Sequence, residues 1–143
     1  MTRATDLTDG VERALGEISP AAGYQTEISA VYGVAEVKPD KAALPCVVVR
    51  INSDEGAQRV GQTVKRMVEY EIEAVFSRSA ALQELQRCHH DILKALGYGQ
   101  DLPSRPLKPG WVGEESAQFD LAPDGGTHRS VTVTVSLEYI EKY

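Results

Sequence analysis

Residues Lys65–Ser77, KRMVEYEIEAVFS, and the segment just after them, Ala80–Leu96, AALQELQRCHHDILKAL, set the architecture. In the first, Val68, Tyr70, Ile72, Ala74 and Phe76 fall on one side of an extended chain, and Glu69, Glu71 and Glu73 on the other. That two-residue period predicts a half-buried strand. In the second the period lengthens: Leu82, Leu85, His89, Ile92 and Leu96 form a stripe at helical spacing. Ser77 or Ser79 is placed to cap this helix, and Gly97 or Gly99 to end it. A strand with one apolar face beside a helix with one apolar stripe implies a sheet covered by helices.

Upstream, Ala43–Asn52 (ALPCVVVRIN) reads as a strand whose Val47, Val48, Val49 and Ile51 are buried partly on both faces. Ser53–Gln62, polar with Gly56 and Gly61, is too long for a tight hairpin and is expected to be a mobile loop. Tyr24–Tyr32 reads as a strand, and 33–41 as a loop or frayed edge. Before them, a helix capped by Thr5 or Asp6 runs to about Ile18, with Leu7, Val11, Leu15 and Ile18 on one face. Downstream, 97–110 (GYGQDLPSRPLKPG) is a second expected mobile loop. Trp111–Leu121 reads as a strand with Trp111, Val112 and Phe119 as its large apolar members. Pro123–Gly126 is a turn, and Arg129–Tyr139 alternates again, with Val131, Val133, Val135, Leu137 and Tyr139 on one side. The order α-β-β-β-α-β-β predicts one α+β domain over 1–143. A single, largely antiparallel or mixed sheet of four to five strands carries both helices on one face. The other face is then polar, with Glu69, Glu71, Glu73, Thr132, Thr134 and Glu138.

A chain of 143 residues fits one domain with a core of its own. Fifteen Lys and Arg against 21 Asp and Glu leave a net charge of −6, which argues against wrapping duplex DNA in a cationic surface. The N-terminus lacks the apolar run of a signal peptide, and Cys46 and Cys88 are expected as free thiols in a reducing cytoplasm. No apolar stretch is long enough for a membrane span.

Catalytic signatures are missing from the sequence: there is no G-x-S-x-G, P-loop, H-E-x-x-H or C-x-x-C. Cys88-His89-His90-Asp91 is the one dense cluster of metal-ligand types, but neighbours on a helix point about 100° apart and do not converge on one ion. The same geometry disfavours a Cys–His catalytic pair, so neither metal nor cofactor is expected. The Glu69, Glu71, Glu73 stripe reads either as a solvated sheet face or as a subunit interface or aqueous lumen, with Arg50, Arg66 and Arg78 as candidate partners. Arg105, Lys108 and Trp111 mark a candidate docking loop; the alternative is a surface connection with Trp111 tucked against the sheet.

The succession of motifs resembles a known family. It comprises Gly23-Tyr24-Gln25-Thr26-Glu27-Ile28, the apolar strand after Pro45, Tyr70-Glu71-Ile72-Glu73-Ala74, Asp91-Ile92-Leu93-Lys94-Ala95-Leu96, and a last alternating strand reaching Tyr139. Together these are similar to the tail terminators (minor tail protein U-like) of long-tailed bacteriophages, over most of the chain. The resemblance implies a virion protein at the head-proximal end of the tail, assembled in the host cytoplasm and without catalysis. Its subunits form a hexameric ring that stops polymerisation of the major tail tube protein and offers a surface to the head–tail connector. DNA then passes through the lumen without specific binding, along an acidic wall. The alternatives are a connector or neck subunit of the same particle, or a small ligand-binding or enzymatic module using Cys88, His89 or His90.

Overall fold

The computed structural model describes residues 2–111 and 113–143; Val112, placed by its sequence in the fourth strand, lies outside them. Two helices, a 3₁₀ turn and five strands follow in the order α1 (Arg3–Gly16), 3₁₀ turn (Pro20–Ala22), β1 (Ala30–Tyr32), β2 (Cys46–Val60), β3 (Thr63–Ser77), α2 (Leu82–Leu96), β4 (Glu115–Asp120) and β5 (His128–Lys142). They build one mixed α+β sheet in the spatial order β1-β2-β3-β5-β4, with β1 parallel to β2 and every other pair antiparallel.

Alternation on the two central strands sorts the faces. Ala74, Ile72, Tyr70 and Val68 stand opposite Val131, Val133, Val135 and Leu137 of β5, and all eight are buried. Val47 and Val49 of β2 continue this layer. Against it pack Val11 and Leu15 of α1 and Leu85, Cys88, Ile92 and Leu96 of α2, so both helices cover the same face. Thr2 caps α1, its side chain accepting from the Thr5 N–H, three residues ahead of the expected cap. For α2 no serine serves; the Glu84 carboxylate instead accepts from the Ala81 N–H at 2.7 Å. Gly97, at φ +100°, ends α2, with the Tyr98 N–H reaching back to the Leu93 carbonyl.

The structure corrects the reading of 53–62 as a loop. β2 runs on to Val60 and turns at Gly61-Gln62 into β3, so these residues are the outer half of a long hairpin. They bury nothing, which is why no apolar alternation marks them. Register shifts between Ile51 and Ser53 and between Gly56 and Gln58 interrupt the ladder. β1 is also shorter than read. Tyr24–Ser29 forms no ladder: the Gln25 N–H donates to the Asp91 carboxylate at 3.0 Å, the Ser29 N–H to the Pro45 carbonyl at 2.8 Å, and Tyr24 and Thr26 are buried. In β4 the strand starts at Glu115, not Trp111, because the Trp111 indole donates to the Ser136 carbonyl at 3.0 Å, a group a longer ladder would use.

Segment 97–110 is fastened to the body. Leu107 is 1% exposed within the core, and its N–H donates to the Leu96 carbonyl at 2.8 Å. Arg105 reaches Glu17, the residue just after α1, at 2.8 Å.

Candidate interaction surface

The uncovered face of the sheet carries the glutamate stripe, since odd-numbered residues of β3 point away from the helices. Glu69, Glu71 and Glu73 stand opposite Ser136, Thr134 and Thr132 of β5. On the β2 side, Arg50 lies across from Glu71 and bridges two of the three, with Nε 2.9 Å from Glu71 and Nη2 3.3 Å from Glu73. The hydrogen bond to Glu71 raises the affinity of the Arg50 guanidinium for its proton still further. Lys65 and Glu138 make a second cross-strand pair at 3.4 Å. These pairs are half exposed, so each is worth about 0.2–1 kcal/mol. Glu69 has no ion pair among the described residues. The face is therefore a flat, wet mosaic of hydroxyls and partly neutralised carboxylates.

Of the expected cationic partners, only Arg50 joins the stripe. Arg66 is even-numbered on β3 and points to the helix side, where its Nε meets Asp54 at 2.8 Å. The Tyr139 hydroxyl donates to the other oxygen of Asp54. Burial and the Asp54 carboxylate push the Tyr139 phenol up to about 12. Arg78, between β3 and α2, donates to the Gly126 carbonyl at 2.6 Å and ties that corner to the β4–β5 turn. Arg66 and Arg78 thus clamp their own chain.

The expected docking loop divides similarly. Trp111 is half-buried, hydrogen-bonded to Ser136 and edge-on to Tyr98 at 5.9 Å, so it is the tucked residue of a surface connection. Arg105 and Lys108 line a groove of about 500 Å³ together with α1 and the end of β5.

The Cys88–Asp91 cluster splits around α2. Cys88 and Asp91 are buried, whereas the His90 side chain is 66% exposed. His89 faces β4, edge-on to Phe119 at 6.0 Å and 3.8 Å from Glu115. Burial pushes the Cys88 thiol up to about 12, with the Asp91 carboxylate adding to the effect, so it is not poised as a nucleophile. Cys46 is likewise buried and raised. Among the described residues, no group of three or more His, Cys, Asp or Glu is placed to hold a metal ion, and no helix is long and apolar enough to cross a membrane. Sequence reasoning missed the Asp54–Arg66–Tyr139 clasp, whose members lie far apart in the chain. It also missed the groove above α1, whose lining comes from three segments. No protein-family model matches the chain, and no curated protein matches it.

Proposed function

We propose that this chain is a structural subunit that assembles into a ring and acts as a phage tail terminator, capping the tail tube and presenting a surface for head attachment. One observation carries the reading: the sheet is covered on one face only, and its other face is a broad array of paired and unpaired carboxylates among hydroxyls. Such a face makes contacts or lines water; it offers no enclosed site for turnover. The order of motifs along the chain supports the family. Under this reading the Glu69 end of the stripe faces the lumen or the neighbouring subunit, and the acidic wall lets DNA slide past. The test has two parts. The mass of the purified protein in solution should be sixfold that of the chain, and electron microscopy of protein mixed with tail tubes should show density at tube ends only. A monomer at all concentrations, or binding along the tube walls, refutes the proposal. Binding to connectors without capping tubes favours a neck subunit instead.

A further inference from the structure

The groove between α1, the strap at 104–108 and the end of β5 is unlike the rest of this acidic molecule. Arg3, Arg13, Arg105 and Lys108 share its lining with the carboxylates of Asp6 and Glu138, and the buried Glu141 carboxylate accepts from the Arg3 N–H at 3.1 Å. Arg105 is engaged by Glu17 and Glu138 by Lys65. Arg3, Arg13 and Lys108 have no carboxylate partner within ion-pair distance among the described residues. Leu7 and Pro106 add apolar lining, and Ile140 stands at its rim on the outward side of β5. The groove is thus shaped for an apolar side chain flanked by acidic ones.

One segment of the chain has that character. Val37 is 89% exposed, the most exposed large apolar side chain among the described residues, and Glu36 and Asp40 stand exposed on either side. Lys38 between them is half-buried. The segment is held in shape by two turns, with the Glu36 N–H on the Gly33 carbonyl at 3.0 Å and the Ala42 N–H on the Pro39 carbonyl at 3.2 Å. Little conformational freedom is left to lose on docking. Its position matters as much as its chemistry. The segment is tied to α1 through the Val34 N–H and Glu12, at 2.8 Å. Glu12 follows Arg3 by nine residues and so lies about 180° around the helix from it. Arg13, on the groove side, lies about 100° from Glu12, so knob and groove occupy different flanks of the same helix.

We infer that the Val34–Asp40 segment of one copy docks in the groove of the next, with Val37 on the apolar lining and Glu36 and Asp40 against Arg13 and Lys108. A contact between two different patches is heterologous, and repeated by rotation it closes into a ring. This inference rests on the ring reading and supplies its interface. The test uses two variants of the full chain, each altered only at exposed positions. The knob variant carries Val37→Lys and Asp40→Lys; the groove variant carries Arg13→Glu and Lys108→Glu. Unchanged circular dichroism and melting temperature establish that both fold. Each variant alone is expected to drop from the assembled mass to that of a single chain. Mixed one to one, they should associate again into species of two chains or more, because each pair retains one intact contact and the reversed charges of the other attract. Variants that assemble as the unaltered protein does overturn this contact, leave the groove to an acidic segment of another protein, and leave the ring reading intact. Variants that are single chains alone and stay so when mixed also overturn it. An unaltered protein that is itself monomeric overturns the ring reading first.

Discussion

Replacing Leu107 by Ala tests whether 97–110 is a strap or a free loop. Leu107 is 1% exposed and packs in the main core although it sits in a segment with no regular structure. Leu→Ala at such a site removes the transfer energy of the lost carbons and leaves a cavity, about 2–5 kcal/mol together. The site borders the surface, so neighbours can relax somewhat, and about 3 kcal/mol is expected. A chain of 143 residues unfolds with an entropy of about 0.3 kcal/mol/K. The loss therefore corresponds to a fall of about 10 °C in melting temperature. Leu102→Ala, five residues earlier at 39% exposure, serves as control and should cost no more than about 0.5 kcal/mol. Thermal unfolding by circular dichroism measures both. Hydrogen exchange adds a local readout, since the Leu107 N–H on the Leu96 carbonyl should lose protection in the first variant only. Equal melting temperatures for the two variants would refute the anchoring and return the segment to a free loop.

Three further outcomes are expected. Burial holds the Cys88 thiol neutral up to about pH 12 against an ordinary value of 9.0, so unfolding releases a proton above pH 9. The stabilisation is full below pH 9 and is lost as pH rises toward 12, by up to about 1.4 kcal/mol per unit. Cys88→Ala should lessen the fall in stability between pH 9 and 10, leaving the smaller part due to Cys46, as urea unfolding across that range will show. Gly97→Ala forces a side chain at φ +100° and sets its Cβ 2.5 Å from that of Arg105, so it should cost at least about 1 kcal/mol and loosen the strap, measured by melting and by proteolysis at 97–110. Changing Glu69, Glu71 and Glu73 together to Lys removes two exposed ion pairs with Arg50, worth about 0.2–1 kcal/mol each. The fold should survive with a melting temperature a few degrees lower, while assembled mass and phage yield fall; unchanged assembly and yield would remove the stripe from interface and lumen.

What could be read in advance was what burial writes into a sequence. The central strands and the α2 stripe announce themselves because Ile72, Val133 and Ile92 must face the core, and the same alternation puts Glu71 outside. Arg66 obeys this rule too; its even number already separates it from the glutamates, and grouping it with them overlooked the pleat. Ser53–Val60 was illegible for the opposite reason. Its strand is dictated by the hydrogen-bonding groups of β3 rather than by any side chain that needs cover. Where side chains take over backbone partners, as Asp91 does for Gln25 and Trp111 at Ser136, apolar composition overstates the strands. The groove draws on α1, the strap and β5, so its charge excess shows only once they are brought together.

The outer half of the β2–β3 hairpin extends beyond the reach of β1, which covers β2 only from Cys46 to Val48. Past that point the arm has its ladder to β5, the Asp54–Arg66–Tyr139 clasp and little buried surface. Such an arm can flex or be gripped at its tip while the core keeps its packing, because almost none of the apolar contacts that hold the body together run through it. Under the ring proposal, force applied there would be absorbed locally.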